Sequence, residues 1–365
     1  LGLYFAGGTH DRQASAQLLS ATPTPPPATP APTPPPTVEE HAPETRTVTA
    51  GEATDAAHRQ DSVSSNLDGA EAAKVHDGFE QLKQSLEGEQ ARQASSHEPP
   101  PINQQSPTPE AVPSEREGSF EGLLSQARQG NAQAIRLVAT AYLNGWPVAQ
   151  DWREASRWYA MLADQGDAEA ITKLGVILWS EESPVRDQRR ATQLFLEGAK
   201  LNDPEAVTFL AESLLQGYPG KEPDPQRAVK LLLAAAQQKN LFAIDLLGWW
   251  VLEGVAGIPA DPKKARQLFQ EAWSAGHAPA AHALGFINRN GRGVPKDPAK
   301  AREFYRMAAQ AGFPAAQNTY GILLSKGIGG PMNEAEAVDW FSRAAKSGDK
   351  NAKSNLRDRG VVLTR

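Results

Sequence analysis

A period of 36 or 37 residues recurs through the second part of this 365-residue chain, and it limits the possible folds more than any other feature. An alanine opens each period, at Ala134, Ala170, Ala206, Ala243, Ala280, Ala316 and Ala352. An Asp or Asn keeps the same spacing, at Asp151, Asp187, Asp224, Asp261, Asp297 and Asn333. A second alanine follows four residues after each of these, at Ala155, Ala191, Ala228, Ala265, Ala301 and Ala337. Periods of this length are typical of solenoids, in which stacked pairs of short helices share one core.

Each period divides into two predicted helices. The first is expected to end at glycine, which readily adopts the left-handed conformation that closes a helix. These glycines are Gly145, Gly217, Gly254, Gly291 and Gly327. The Asp or Asn then caps the second helix, because its side chain can accept hydrogen bonds from free backbone amides. Large apolar residues such as Phe304 and Tyr305 precede a small pair such as Ala308 and Ala309, and this alternation favours close packing.

The sequence predicts six such units within a repeat domain of residues 117–365, with a half-unit at each end. The units lie near residues 131–166, 167–203, 204–240, 241–277, 278–313 and 314–349, and residues 350–365 form the C-terminal half-unit. Residues 119–130 read as the end of a second helix and are expected to cap the front. Terminal half-units of this kind cover an apolar face that would otherwise be exposed.

The first 117 residues have a composition that cannot build a core. Sixteen of the 29 prolines lie before residue 114, whereas all eight tryptophans lie between Trp146 and Trp340. These 117 residues carry a net charge of −10, and the rest of the chain carries +4. Residues 21–65, which are Pro-rich and then acidic, and residues 95–116 are therefore predicted to be disordered linkers.

Between those linkers, residues 66–94 are predicted to form a short amphipathic helix. Val75, Phe79, Leu82 and Leu86 recur at spacings of three and four, which places them on one helical face. A single helix of this length is only marginally stable in water. It is expected either to form transiently or to pair with a partner or with a copy of itself.

The apolar residues 1–8 are too few to cross a membrane, since a spanning helix needs about 20 residues. Residues 1–20 are interpreted as the end of a membrane anchor or of a signal segment. The alternative is an unstructured terminus.

The sequence lacks the residue patterns of a catalytic or metal site. It contains no cysteine, which excludes disulfides and thiolate zinc ligands. His277 and His282 are not spaced as metal ligands and are interpreted as surface residues. The glycines at Gly291 and Gly293 lack the GK[ST] ending of a phosphate-binding loop, and no basic cluster indicates nucleic-acid binding. The chain is therefore predicted not to be an enzyme and to use no cofactor or metal.

The repeat resembles the Sel1-like family, which is related to tetratricopeptide repeats. Unit five shows this most clearly, with Ala-Leu-Gly at 283–285, the loop 290–297, Ala301, Phe-Tyr at 304–305, Ala-Ala at 308–309 and Gly312. The resemblance covers roughly residues 119–360. It implies an all-α fold, a right-handed superhelix of helix pairs, and a role as adaptor, scaffold or regulator in protein complexes; several bacterial members are exported. Units two and three depart from the motif at 180–184 and 217–220, where irregular loops are expected.

In tetratricopeptide repeats the first helices line the inner face, so the resemblance implies a partner-binding groove on them. The groove residues inferred from the repeat register are Thr172, Val176, Trp179, Asp245, Trp249, Leu252, His282, Phe286, Arg289, Asn318 and Ile322. Exposed Trp, Phe and Arg side chains suit an interface hot spot. The alternative is that Trp179 and Trp249 belong to the core.

We therefore expect a non-catalytic scaffold or adaptor that binds another protein or a peptide segment. Its expected place is a bacterial envelope complex in the periplasm, held at the inner membrane only through an N-terminal anchor. One alternative is a cytoplasmic signalling adaptor whose disordered acidic tail recruits a second partner. Another is a binder of carbohydrate or peptidoglycan, a cell-envelope polymer, that uses the groove aromatics.

Overall fold

A computed structural model describes Gly78 and residues 120–363 of the chain. Within residues 120–363 there are fourteen helices and no strand. They are α1 (Phe120–Arg128), α2 (Ala132–Asn144), α3 (Trp152–Ala163), α4 (Ala168–Trp179), α5 (Gln188–Lys200), α6 (Ala206–Gln216), α7 (Pro225–Gln237), α8 (Leu241–Glu253), α9 (Pro262–Ser274), α10 (Ala278–Asn290), α11 (Pro298–Gln310), α12 (Pro314–Lys326), α13 (Glu334–Lys346) and α14 (Lys350–Arg357). The predicted all-α fold of stacked helix pairs is confirmed.

Each helix packs mainly against its neighbours in the chain, as expected for a solenoid. The pairs α2/α3 through α12/α13 are the six units, and α1 and α14 lie at the two ends. No helix in this part of the chain is both long and apolar enough to cross a membrane. The predictions for residues 1–65 and 95–116, and all of 66–94 except Gly78, lie outside the described residues.

The Asp or Asn that opens each second helix makes two connections. Its side chain accepts hydrogen bonds from backbone amides of the first helical turn in all six units, as predicted. Its own backbone amide donates to a carbonyl in the last turn of the preceding helix, for example from Asp224 to Leu214 at 2.7 Å and from Asp297 to Asn288 at 2.9 Å. One residue thus starts the second helix and ties it to the first.

Four of the five glycines that were predicted to end a first helix do so in the expected left-handed conformation. Gly145, Gly254, Gly291 and Gly327 adopt the left-handed conformation at the helix end. In unit three Gly217 has φ 71° and ψ 173° instead, and a tight turn follows in which Tyr218 and Lys221 exchange two backbone hydrogen bonds. In unit two the helix ends at Ser180 without a glycine. The two irregular loops are therefore where they were expected.

A ring from each second helix packs directly on the backbone of its first helix in four units. A Cβ atom at Gly175 would lie 2.6 Å from Phe195, and a Cβ at Gly248 would lie 2.6 Å from Phe269. The contacts of Gly285 with Tyr305 and of Gly321 with Phe341 are equivalent, at 3.0 and 2.7 Å. Glycine is required at these positions because any side chain would occupy the space of the ring.

The two ends of the stack meet. Lys353 Nζ, on α14, donates to the carbonyl oxygen of Asn144 at the end of α2, at 2.7 Å. Lys346 Nζ lies 4.9 Å from the ring centroid of Trp146, within cation–π range. Lys350 also forms an ion pair with Glu182 of unit two. The superhelix therefore closes on itself, so that unit six and the C-terminal half-unit contact the first two units. We call this set of interactions the end contact.

Candidate partner-binding groove

The residues inferred to line a groove all lie on first helices, and the structure buries nearly all of them. They are Thr172, Val176 and Trp179 on α4; Asp245, Trp249 and Leu252 on α8; His282, Phe286 and Arg289 on α10; and Asn318 and Ile322 on α12. Ten are buried, and Arg289 is half-buried. Their role in binding a partner stays a prediction, but only Arg289 offers a partly exposed side chain.

Aromatic members of this set pack on rings of their own unit and, in one case, of the next unit. The Trp249 ring lies 5.3 Å from Phe269 and 5.4 Å from Phe286, centroid to centroid, edge to face in both cases. In unit two, Trp179 lies 6.3 Å from Phe195. Such pairs are favourable beyond the apolar area that they bury. Trp249 therefore joins its own second helix to the first helix of the next unit.

Trp250 is buried together with Trp249, although the two point to different sides of α8. Their exposed fractions are 1% and 6%. Every residue from Ala243 to Leu252 is buried, and a helix that is apolar all round is typical of a position covered on all sides. Adjacent tryptophans are therefore both buried here, and Trp179 and Trp249 are core residues, as the alternative interpretation held.

The polar members of the set are satisfied in different ways. Thr172 Oγ1 donates to the carbonyl oxygen of Ala168 at 3.1 Å. Asn318 Oδ1 accepts from Asn355 Nδ2 at 2.8 Å, and this bond links α12 to α14. The first bond lies within α4, whereas the second holds two adjacent helices together.

Asp245 is the exception, because both of its carboxyl oxygens are buried without a hydrogen-bond partner in the described part of the chain. The ring nitrogen Nε2 of His277 lies 4.0 Å from Oδ2 of Asp245, which is too far for a hydrogen bond. Burial raises the pKa of Asp245 from 3.8 to about 8 and lowers the pKa of His277 from 6.5 to about 4. We therefore regard the two groups as a neutral pair at pH 7, not as an ion pair.

His282 is also buried and uncharged. Its ring lies 5.0 Å from Tyr305 and 5.5 Å from Phe313. Burial, with a smaller contribution from the charge of Arg289, lowers the pKa of His282 to about 3. The interpretation of His277 and His282 as surface residues is wrong. The sequence offered one clue, since both lie beside small residues at the start of a helix that packs on all sides.

The raised pKa of Asp245 predicts a pH dependence. The unfolded carboxyl releases its proton near pH 4 and the folded one near pH 8, so the stabilisation by its protonated form is lost as the pH rises towards 8. Between pH 6.5 and 8 the two buried histidines act in the opposite direction, by about 0.4 kcal/mol each, because half of the unfolded rings are still protonated at pH 6.5. Asp245 alone lowers the free energy of unfolding by up to about 2 kcal/mol over this range, so we expect a net fall of about 1 kcal/mol.

Asp245→Asn should remove that fall, because the amide has no proton to release in this range. Urea unfolding at pH 6.5 and pH 8 measures the difference, with Asp339→Asn, at an exposed site on α13, as the control. An equal fall in the parent and in Asp245→Asn would contradict a protonated Asp245.

Residues 120–363 contain no group of three or more His, Asp or Glu side chains placed to hold a metal ion.

The repeats match a known family along most of the helical region. The family model described as Sel1 repeat matches residues 132–167, 168–203, 204–240, 242–277, 278–313 and 314–349. No curated protein matches the chain.

Several solved structures are similar to the chain. One is a protective antigen of uropathogenic Escherichia coli with an SLR fold, 25% identical, with a TM-score of 0.38; the match covers 66% of this chain and 52% of that one. The chain thus spans about half the length of that protein. A Sel1 repeat protein from Oxalobacter formigenes is 22% identical over 82% of this chain and 84% of its own, with a TM-score of 0.41. An immunity protein from Pseudomonas aeruginosa is 18% identical over 60% of this chain and 83% of its own, with a TM-score of 0.46.

Proposed function

This chain belongs to the Sel1 repeat family, and from that membership we propose that it is a non-catalytic scaffold or adaptor that binds another protein or a peptide segment. Sel1 repeats in general mediate protein–protein interaction. The observation that carries the proposal is the uninterrupted series of six family repeats from residue 132 to 349. A stack of this kind presents an extended surface, and binding through such a surface requires no reactive side chains.

We also propose that the protein works in a bacterial envelope complex on the periplasmic side of the inner membrane. The support is in the sequence: an apolar stretch at residues 1–8 and a Pro-rich spacer at residues 21–36 precede the repeats. A spacer of this composition is extended and stiff, and it would hold the repeats away from a membrane. A topology reporter fused after Arg365 tests this, and activity only on the cytoplasmic side would refute it.

Within the repeats, we place the partner near the C-terminal end of α10, where Arg289 is half-buried beside Phe286. Arginine next to an aromatic ring combines charge-assisted hydrogen bonds with apolar contact, and such pairs dominate many interfaces. The helix C-terminus also favours a positive side chain at this position.

Charge reversal at Arg289 tests this position, with the unfolding midpoint of the variant measured alongside to show that the repeats stay folded. Full-length chain carrying Arg289→Glu is compared with the parent as bait for envelope proteins, and each captured protein is quantified by mass spectrometry. Arg157→Glu on α3, whose side chain is 72% exposed, is the matched control. We expect the specific partner to be reduced about tenfold or more with Arg289→Glu, as is usual when a central interface charge is lost.

The control should capture the partner at the parental level. Equal capture by both variants would contradict the placement at Arg289, and the absence of any specifically captured protein would contradict the scaffold proposal itself. Retention of the chain on purified cell-wall sacculi, and not on proteins, would favour the polymer-binding alternative.

A further inference from the structure

One repeat position on the second helices is buried only in unit three of the described repeats. It lies five residues after the alanine that follows the helix cap, at Ala160, Leu196, Leu233, Gln270, Arg306 and Ser342. Leu196 in unit two is 41% exposed, whereas Leu233 in unit three is only 6% exposed. Val229, one turn before Leu233, is fully buried as well. Something specific to unit three therefore covers this side of α7.

The described residue that lies there is Gly78, far away in the sequence. Gly78 is helical and half-buried. A Cβ atom on Gly78 would lie 3.1 Å from Leu233 Cδ1. This is closer than an ordinary van der Waals contact, so the backbone at residue 78 rests directly on the leucine side chain. A residue without a side chain suits this approach.

The sequence around Gly78 indicates which side of the segment faces α7. Gly78 follows Val75 by three residues and precedes Leu82 by four, so on a helix it shares their face. That is the face with the apolar stripe of residues 66–94. A helix running through Gly78 would therefore turn the stripe towards the repeats, where its apolar surface would be removed from water.

Charge and chain length agree with docking within one molecule. Residues 66–94 carry six acidic and three basic side chains, whereas the chain after residue 117 has a net charge of +4, so the two attract weakly. The 41 residues between Gly78 and Phe120 can span on the order of 100 Å when extended. The segment can therefore reach unit three without strain.

We propose that residues 66–94 dock as an amphipathic helix on unit three of their own chain and cover Leu233 and Val229 of α7. The surface is then a binding site for an apolar helical face, and the chain supplies its own ligand. Any external partner that uses this side of unit three has to displace the segment first.

Introduced cysteines test the proposal directly, because the natural chain has none. The full-length double variant Gly78→Cys/Leu233→Cys is oxidised mildly at low protein concentration, and intramolecular disulfide is followed by intact mass and non-reducing electrophoresis. Leu233→Cys also removes the methyl group that a Cβ at residue 78 would crowd. The matched control, Gly78→Cys/Leu196→Cys, places the same change at the equivalent, more exposed leucine of unit two. We expect disulfide formation about tenfold faster in the first pair.

A second arm adds Val75→Asp, Phe79→Asp and Leu82→Asp to the Gly78→Cys/Leu233→Cys chain. Loss of the apolar stripe should reduce the rate to that of the control pair. Equal rates for the two cysteine pairs would overturn the proposal, and so would disulfide-linked dimers as the main product, since they would show docking on a second copy. The experiment involves no external partner, so its outcome is independent of the scaffold function proposed above.

Discussion

Replacing Gly248 by leucine is expected to lower the free energy of unfolding by about 3 kcal/mol or more. A Cβ at this position alone would lie 2.6 Å from Phe269 Cε1 and 2.9 Å from two further ring atoms. The ring is fully buried, so it cannot turn towards solvent, and the helix pair α8/α9 would have to separate. Urea unfolding followed by circular dichroism measures the change in midpoint.

The repeat itself supplies a compensating change. Unit three has Ala211 where unit four has Gly248, and Leu232 where unit four has Phe269. The double variant Gly248→Ala/Phe269→Leu copies that pair and should be more stable than Gly248→Ala alone. Gln270→Leu, at an exposed site on the same second helix, controls for added apolar volume and should change the midpoint little. An unchanged midpoint in Gly248→Leu would refute the assigned packing.

Trp250→Ala is expected to lower the free energy of unfolding by about 3–5 kcal/mol, because it leaves a cavity in the middle of the stack. Trp250 is the largest of the fully buried side chains, and its helix is buried along ten consecutive residues. Each unit is stabilised chiefly by its neighbours, so a defect here weakens the packing on both sides. Thermal and urea unfolding of the variant and the parent measure the loss.

Trp152→Ala is the comparison for that prediction. Trp152 is half-buried in the first turn of α3, and its loss should destabilise the protein by a smaller amount. Similar losses in the two variants would mean that burial in the centre of the stack does not control stability, contrary to the prediction.

The helix ends could be predicted because they depend on residue types that have one main local role. Asp and Asn at a fixed spacing start the second helices, and glycine ends most of the first ones, since both act through backbone groups a few residues away. The sequence analysis does not predict the four caps that start first helices and the last helix, at Asn131, Asp167, Asn240 and Asp349. A preceding glycine marks three of them, at Gly130, Gly166 and Gly348.

The burial of the first helices could not be predicted, because it depends on packing between units. Asp245 and His282 lie in a register that suggested an inner face, and an exposed face is the usual place for polar residues. In the structure both are buried, and burial is the largest cause of both pKa shifts. A periodic pattern shows which residues share a side of a helix, but it does not show how many neighbours cover that side.

The end contact has a consequence for how an array of this kind can change in length. The hydrogen bond from Lys353 to Asn144 and the position of Lys346 over Trp146 exist only if one superhelical turn holds this number of units. Inserting or deleting a whole helix pair would shift the C-terminal half-unit by the rise of one unit and separate these residues. The end contact is thus a feature of an array with this number of units.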